Sequence, residues 1–164
     1  MRYKLVVLDL DGTIWDYPKT SSVLPEPITV QGDAVVAADG TRLLLRDGLR
    51  DFLKACAERG VLVSLASWNS PNLPVKMLSA LGLMGYFAHP KLEPHPYKEL
   101  MLKEILEDFN GEGVRISPEE VVFVDDRDVM VQRVKERFPS MTCLQFGVDV
   151  RSYSELEKIA CGRG

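Results

Sequence analysis

The sequence has few cysteines, no excess of basic residues and no hydrophobic run long enough to span a bilayer. Its 164 residues include three cysteines, Cys56, Cys143 and Cys161, widely spaced and without a CxxC or Cys/His pattern. That spacing argues against a disulfide framework and against a zinc site, so the three read as reduced thiols. The net charge of −4 argues against nucleic acid as a partner, because a phosphate backbone rewards a basic face. Met1-Arg2-Tyr3-Lys4 runs straight into a strand-like segment rather than into the apolar region of a signal peptide. A cytoplasmic protein with no membrane partner is expected. Asn and Gln are also scarce, which suits a heat-adapted source.

What is present is an ordinary globular composition at a length that buries a core without staples, so residues 1–164 are expected to form a single domain. Tyr3–Leu8, Val61–Ala66 and Val121–Val124 are short runs, rich in β-branched residues and apolar on both faces, as central strands of a parallel sheet must be. Met141–Phe146 is a weaker fourth strand and Tyr86–Ala88 a short fifth. Between them lie helical patterns. One opens at Asp47-Gly48-Leu49, continues through Phe52, Leu53 and Cys56 and closes at Gly60. Others cover Pro74–Leu81, Tyr97–Phe109 and Asp128–Arg137, while Ser117-Pro118-Glu119-Glu120 reads as a capped single turn. Alternating strands and helices predict an α/β fold, a doubly wound, Rossmann-like three-layer sandwich. Residues 15–46 break the alternation. Two turn signals, Gln31-Gly32-Asp33 and Ala38-Asp39-Gly40, separate strand-like runs there, which predicts a small β-hairpin flap and no large cap domain.

In an open α/β sheet, ligands sit outside the carboxyl ends of the strands. The residues at those ends are Asp9, Asp11 and Thr13 after the first strand, and Ser67, Trp68 and Asn69 after the second. Asp125, Asp126 and Asp128 follow the third, and Lys98 opens the helix ahead of it. One such acid alone is usually a turn residue or helix cap. Paired acids after two central strands, joined at one edge by a lysine and a hydroxyl, are a different matter. Like charges gathered in a partly buried cleft need neutralising, and Mg²⁺, which takes carboxylates, waters and a phosphate oxygen, is the predicted cofactor.

Asp9-Leu10-Asp11-Gly12-Thr13 resembles the DxDGT signature of the haloacid dehalogenase superfamily. Ser67, Lys98 and the Asp125-Asp126 pair in "VVFVDD" fit its remaining motifs in order. Within it, the chain looks most like the capless magnesium-dependent phosphatases of acid-phosphatase type, through Thr13-Ile14-Trp15, Ala66-Ser67 and "FVDD". The resemblance implies a hydrolase acting on phosphomonoesters. Asp9 would attack phosphorus to form an aspartyl-phosphate, and Asp11 would protonate the leaving oxygen and then activate water. It also implies that Asp9, the Asp11 carbonyl and the Asp125/Asp126 pair hold Mg²⁺, with Asp126 favoured as the direct ligand and Asp125 as its partner. Ser67, Trp68, Asn69 and Lys98 would bind the substrate phosphate. Compared family members have a basic residue where this chain has Trp68, a difference that bears on substrate preference more than on chemistry. The implied substrate is a sugar phosphate or a phosphorylated protein side chain, and the protein a monomer or weak homodimer.

Other assignments stay open. Lys91 is an alternative phosphate lysine to Lys98. His89 and His95 lack a third ligand at metal spacing and read as surface or loop residues. Trp15 and Trp68 either line the cleft or pack in the core, and Asp128 is either a helix N-terminal acid or a site partner. The competing class is a phosphate-accepting receiver module, with a phosphotransferase as the other alternative. A receiver places its acid pair early and its lysine late, the reverse of the order here, and the connection after the first strand is short for the helical cap of a phosphotransferase.

Overall fold

The computed structural model describes residues 3–162. The chain runs from β1 (Leu5–Leu8) through three short strands, β2 (Thr29–Gln31), β3 (Ala34–Val36) and β4 (Arg42–Leu44), to helix α1 (Leu49–Glu58). It continues through β5 (Leu62–Trp68), α2 (Asn72–Ala80), β6 (Lys91–Glu93), α3 (Lys98–Gly111), β7 (Val121–Asp125), α4 (Asp128–Arg137), β8 (Thr142–Gln145) and α5 (Tyr153–Cys161). Five strands form a parallel sheet in the order β6-β5-β1-β7-β8, with Leu5–Leu8 of β1 paired on one side to Leu62–Leu65 and on the other to Val121–Val124. The order places a topological switch between β1 and β7: the chain builds outward from β1 through β5 to β6, then crosses through α3 to β7 on the other side of β1. Clefts form at such points.

β1 shows why the sequence folds this way. All four of its residues are fully buried, but they serve different layers. Val6 and Leu8 face a core built with Phe52, Leu53, Met77, Tyr153 and Leu156 from α1, α2 and α5. Leu5 and Val7 face a second core with Met101, Ile105, Val131 and Val134 from α3 and α4. A strand apolar on both faces is stable only between two helical layers, each buried Leu or Val contributing about 1.5–3 kcal/mol. The three-layer α/β sandwich is therefore as the sequence predicts.

The expected β-hairpin flap is present and forms a three-stranded antiparallel sheet, β2-β3-β4. Its expected turns carry Gly32 and Gly40 at positive φ. Val35 and Leu43 anchor it in the core shared by α1 and α5, and Trp15 bridges to Leu45.

Two expectations change. Tyr86–Ala88 is not a strand: Met84–Tyr86 forms a single 3-10 turn, and the edge strand is β6, a few residues later. Ala88 does donate its N–H to the Val63 carbonyl at 2.8 Å. The ladder then breaks, because His89 adopts φ 49° and Pro90 has no N–H to give. The second difference is α5, absent from the sequence reading. The other helices start and stop within two residues of expectation. The Ser117 turn has its capping box, with the Glu120 carboxylate accepting from the Ser117 N–H and hydroxyl at 3.1 and 2.9 Å.

Candidate active site

The carboxyl ends of β1, β5 and β7 bring Asp9, Ser67 and Asp125 to one point, and the first residue of α3 supplies Lys98. The Lys98 ammonium is buried and uses all three of its protons. It donates to Asp9 Oδ1 at 2.7 Å, to the Ala66 carbonyl at 2.8 Å and to Asp125 Oδ2 at 2.9 Å. Burial by itself pulls this lysine down, but Asp9 and Asp125 more than offset it and hold the ammonium above its usual range. Burial pushes Asp9 up to about 6 against the pull of Lys98, with Asp126 adding to the rise. Asp125 is also pushed up to about 6, first by burial and then by Asp9.

Asp9, Asp125 and Asp126 each present a carboxylate oxygen within 4.8 Å of the others. Once ionised they outnumber the single Lys98 charge by two, the deficit a divalent cation cancels. The three are not equivalent. Asp125 is committed on both oxygens, Oδ2 to Lys98 and Oδ1 to the Arg127 N–H at 3.0 Å. Among the described residues, nothing hydrogen-bonds to the buried Asp126 Oδ1, an atom that costs free energy until something coordinates it. The donor set is all oxygen and anionic, which suits Mg²⁺.

Asp11 is held differently. β1 ends at Leu8, so the regular strand does not extend to Asp11 and its placement rests on the loop. Trp15 Nε1 donates to Asp11 Oδ1 at 2.8 Å, and the Ser21 N–H and Asn69 Nδ2 donate to Oδ2 at 3.1 and 3.0 Å. Asn69 also donates to Ser67 Oγ at 2.7 Å and accepts from the Ser22 N–H at 3.1 Å. Buried Asn69 thus ties the serine to Asp11 and to the loop that leaves β1. Thr13 Oγ1 donates to Asp9 Oδ2 at 3.2 Å, fixing the second oxygen of that carboxylate.

Gly12 turns the loop at φ +77°, and a Cβ there would lie 2.3 Å from Asp126 Oδ2. Only glycine satisfies both demands. Its carbonyl accepts from Arg46 Nη2 at 2.7 Å, and the neighbouring Thr13 carbonyl accepts from the Tyr153 hydroxyl at 2.7 Å.

The alternatives of the sequence now separate. Trp15 is wholly buried and serves Asp11, whereas Trp68 is 43% exposed and lines the mouth of the cleft. Lys91 pairs with Asp108 at 2.6 Å, His89 with Glu112 at 2.6 Å and His95 with Glu93 at 2.8 Å, none of them in the cleft. Asp128 is exposed at the first turn of α4, where it complements the helix dipole. Arg127 and Met130, which the sequence reading passed over, line the cleft, with the Arg127 guanidinium 6.0 Å from the Trp68 ring centre. The position of Arg127 directly after the acid pair was the available signal.

The acid phosphatase family matches residues 2–145, which includes every one of these acids, Ser67 and Lys98. The chain belongs to that family. The phosphatase fold recurs in solved structures of low identity. A HAD-superfamily hydrolase from Ehrlichia chaffeensis aligns at TM-score 0.65 and 15% identity, covering 98% of this chain and 97% of that one. The N-terminal part of a Bacteroides fragilis protein containing a phosphatase domain, solved in complex with Mg, aligns at TM-score 0.65 and 19% identity over 99% of this chain. This chain spans only 40% of that structure's chain. A 3-deoxy-D-manno-octulosonate 8-phosphate phosphatase from Moraxella catarrhalis, in complex with magnesium, phosphate and KDO, aligns at TM-score 0.53 and 16% identity, covering 82% of this chain and 63% of that one. No curated protein matches the sequence significantly. Among the described residues, no helix is long and apolar enough to cross a membrane.

Proposed function

We propose that this phosphatase hydrolyses phosphomonoesters with Mg²⁺ through an aspartyl-phosphate on Asp9. The observation that carries the reading is the convergence of Asp9, Asp125 and Asp126 on Lys98, with one Asp126 oxygen left unpartnered. Asp9, Asp126 and the Asp11 carbonyl would hold Mg²⁺, with Asp125 keeping Lys98 in place. The ion would neutralise the carboxylates and the phosphoryl oxygens.

The Asp9 carboxylate attacks phosphorus, and the bond to the leaving oxygen breaks as the acyl-phosphate forms. Lys98 and Thr13 fix the two Asp9 oxygens, so the nucleophile needs little reorientation. Ser67 Oγ, positioned by Asn69, donates to the phosphoryl group. Asp11 delivers the proton to the leaving oxygen and later takes one from the water that attacks phosphorus, which breaks the bond to Asp9 and releases phosphate. To do so it trades one of its three N–H partners, since both of its oxygens are engaged at rest.

Trp68 and Arg127 offer an indole face and a guanidinium at the cleft mouth, where the organic part of the substrate lies. We assign a sugar phosphate or a phosphorylated protein side chain as substrate, handled by a single-domain monomer or weak homodimer in the cytoplasm without nucleic acid. Light scattering on a size-exclusion column checks the oligomeric state, and kcat/KM over a panel of phosphosugars and phosphopeptides ranks the substrates. The deciding experiment is phosphate release from an aryl phosphate in Mg²⁺ by the native protein and by Asp9→Asn. Turnover by the native protein alone is expected. Equal turnover by the variant would remove Asp9 from the nucleophile's role.

A further inference from the structure

Away from the cleft, two of the three cysteines meet. Cys56 in α1 and Cys161 in the last turn of α5 are both buried, with their sulfurs 3.3 Å apart. The helices that carry them pack in one core, and Arg59 donates to the Cys161 carbonyl, so a second contact fixes the same pair of helix ends. Cys143 lies in the other core, on the far side of the sheet. A disulfide needs its sulfurs at about 2.05 Å, and the two thiols already stand at 3.3 Å.

We propose that Cys56 and Cys161 close into an intramolecular disulfide when the protein meets a low-molecular-weight disulfide, stapling α5 to α1. The thiolate of one cysteine attacks a sulfur of the small disulfide and releases one small thiol. The second cysteine, as thiolate, attacks the mixed disulfide on the protein and releases the other. Two S–H bonds are lost and one S–S bond forms, the two protons pass to solvent or to the departing thiolates, and the two electrons end in the reduced oxidant. Opening of the last turn of α5 gives access to Cys161, because helix ends open at lower cost than cores. Burial holds both thiols above their usual range, which makes exchange slow.

The staple closes a span of 105 residues. A bond across so long a loop removes much chain entropy from the unfolded state, and a rise in Tm of roughly 10 °C is expected. Its placement gives that gain a use. α5 also carries Tyr153, whose hydroxyl props the Thr13 carbonyl beside Asp9.

The test incubates the reduced protein with glutathione disulfide at mildly alkaline pH, then denatures, alkylates and weighs it. The expected result is one alkylated cysteine, a proteolytic peptide pair joining Cys56 to Cys161, and a raised Tm that thiol reductant reverses. Cys161→Ser should lose both the linkage and the shift, while Cys143→Ser should keep them. Three alkylated cysteines, stable glutathione adducts or a linkage through Cys143 would each overturn the proposal. The mass of the unmutated protein decides the matter even where a serine variant folds poorly.

Discussion

The two ends of the central sheet treat charge in opposite ways. At the carboxyl end, Asp9 and Asp125 are both pushed up to about 6, because burial costs them more than Lys98 returns. At the amino end, Glu120 is held down to about 2 by the Ser117 backbone N–H, helped by Lys4 and the Ser117 hydroxyl. The groove beside Glu120 is larger than the cleft at Asp9, but its acids are paired one to one, Glu120 with Lys4 and Glu107 with Lys103, alongside Leu106, Ile116 and Phe138. One end spends stability to concentrate charge, and the other uses charge to secure a strand start. The side-chain types are the same, and the difference lies in which end of a parallel sheet points backbone and loops toward a common ligand.

The strongest way to break this comparison is through turnover. Asp9→Asn should lower kcat/KM by roughly 10⁴-fold, and Glu120→Gln should leave it within about twofold, both read as phosphate release in Mg²⁺. Next in size is Lys98→Met, which leaves Asp9 and Asp125 buried without their cation. Urea denaturation in Mg²⁺-free buffer should show a loss of about 3 kcal/mol. Gly12→Ala should follow at about 2 kcal/mol, from its left-handed φ and the collision with Asp126. The same variant should blunt the rise in Tm expected of the native protein in Mg²⁺, a rise worth about 2.7 kcal/mol at a concentration 100 times Kd. Asp126→Asn should blunt that rise without the backbone strain, which separates the two causes.

The smallest effect belongs to the amino end. Glu120 sits below its ordinary value of 4.5 in the folded protein, so it favours folding above pH 4.5 and loses that contribution as pH falls toward about 2. The Tm gap between the native protein and Glu120→Gln should therefore be full at pH 6 and close as the pH drops through that window. The group is partly exposed to solvent, and a gap of only a degree or two is expected.

What the sequence disclosed follows the same division. Asp9, Asp125, Asp126 and Ser67 were legible because each lies at the carboxyl end of a strand whose apolar run marks its position. Lys98 was legible because it opens a helix. The partners of Asp11 were not, because Ser21 and Asn69 come from separate loops and only the folded chain brings them to one carboxylate. The edge strand was misplaced by a local conflict at His89-Pro90, invisible to hydrophobic spacing. α5 had signals that went unread: Ser152 accepts from the Glu155 N–H, and Tyr153, Leu156 and Ala160 repeat at helical spacing. The meeting of Cys56 with Cys161 had none, since nothing in a sequence ties positions 105 residues apart.

The hydrogen bond from Tyr153 to Thr13 crosses the boundary at which the family match ends, residue 145. A fragment cut at that boundary would keep every acid that the family match covers. It would lose the tyrosine that supports the loop between them, together with the ring packing of Tyr153 on Phe52 and Phe146. The recognisable unit and the folded unit thus differ in length, and a truncation chosen from the signature alone would preserve the family's marks while removing the brace behind them.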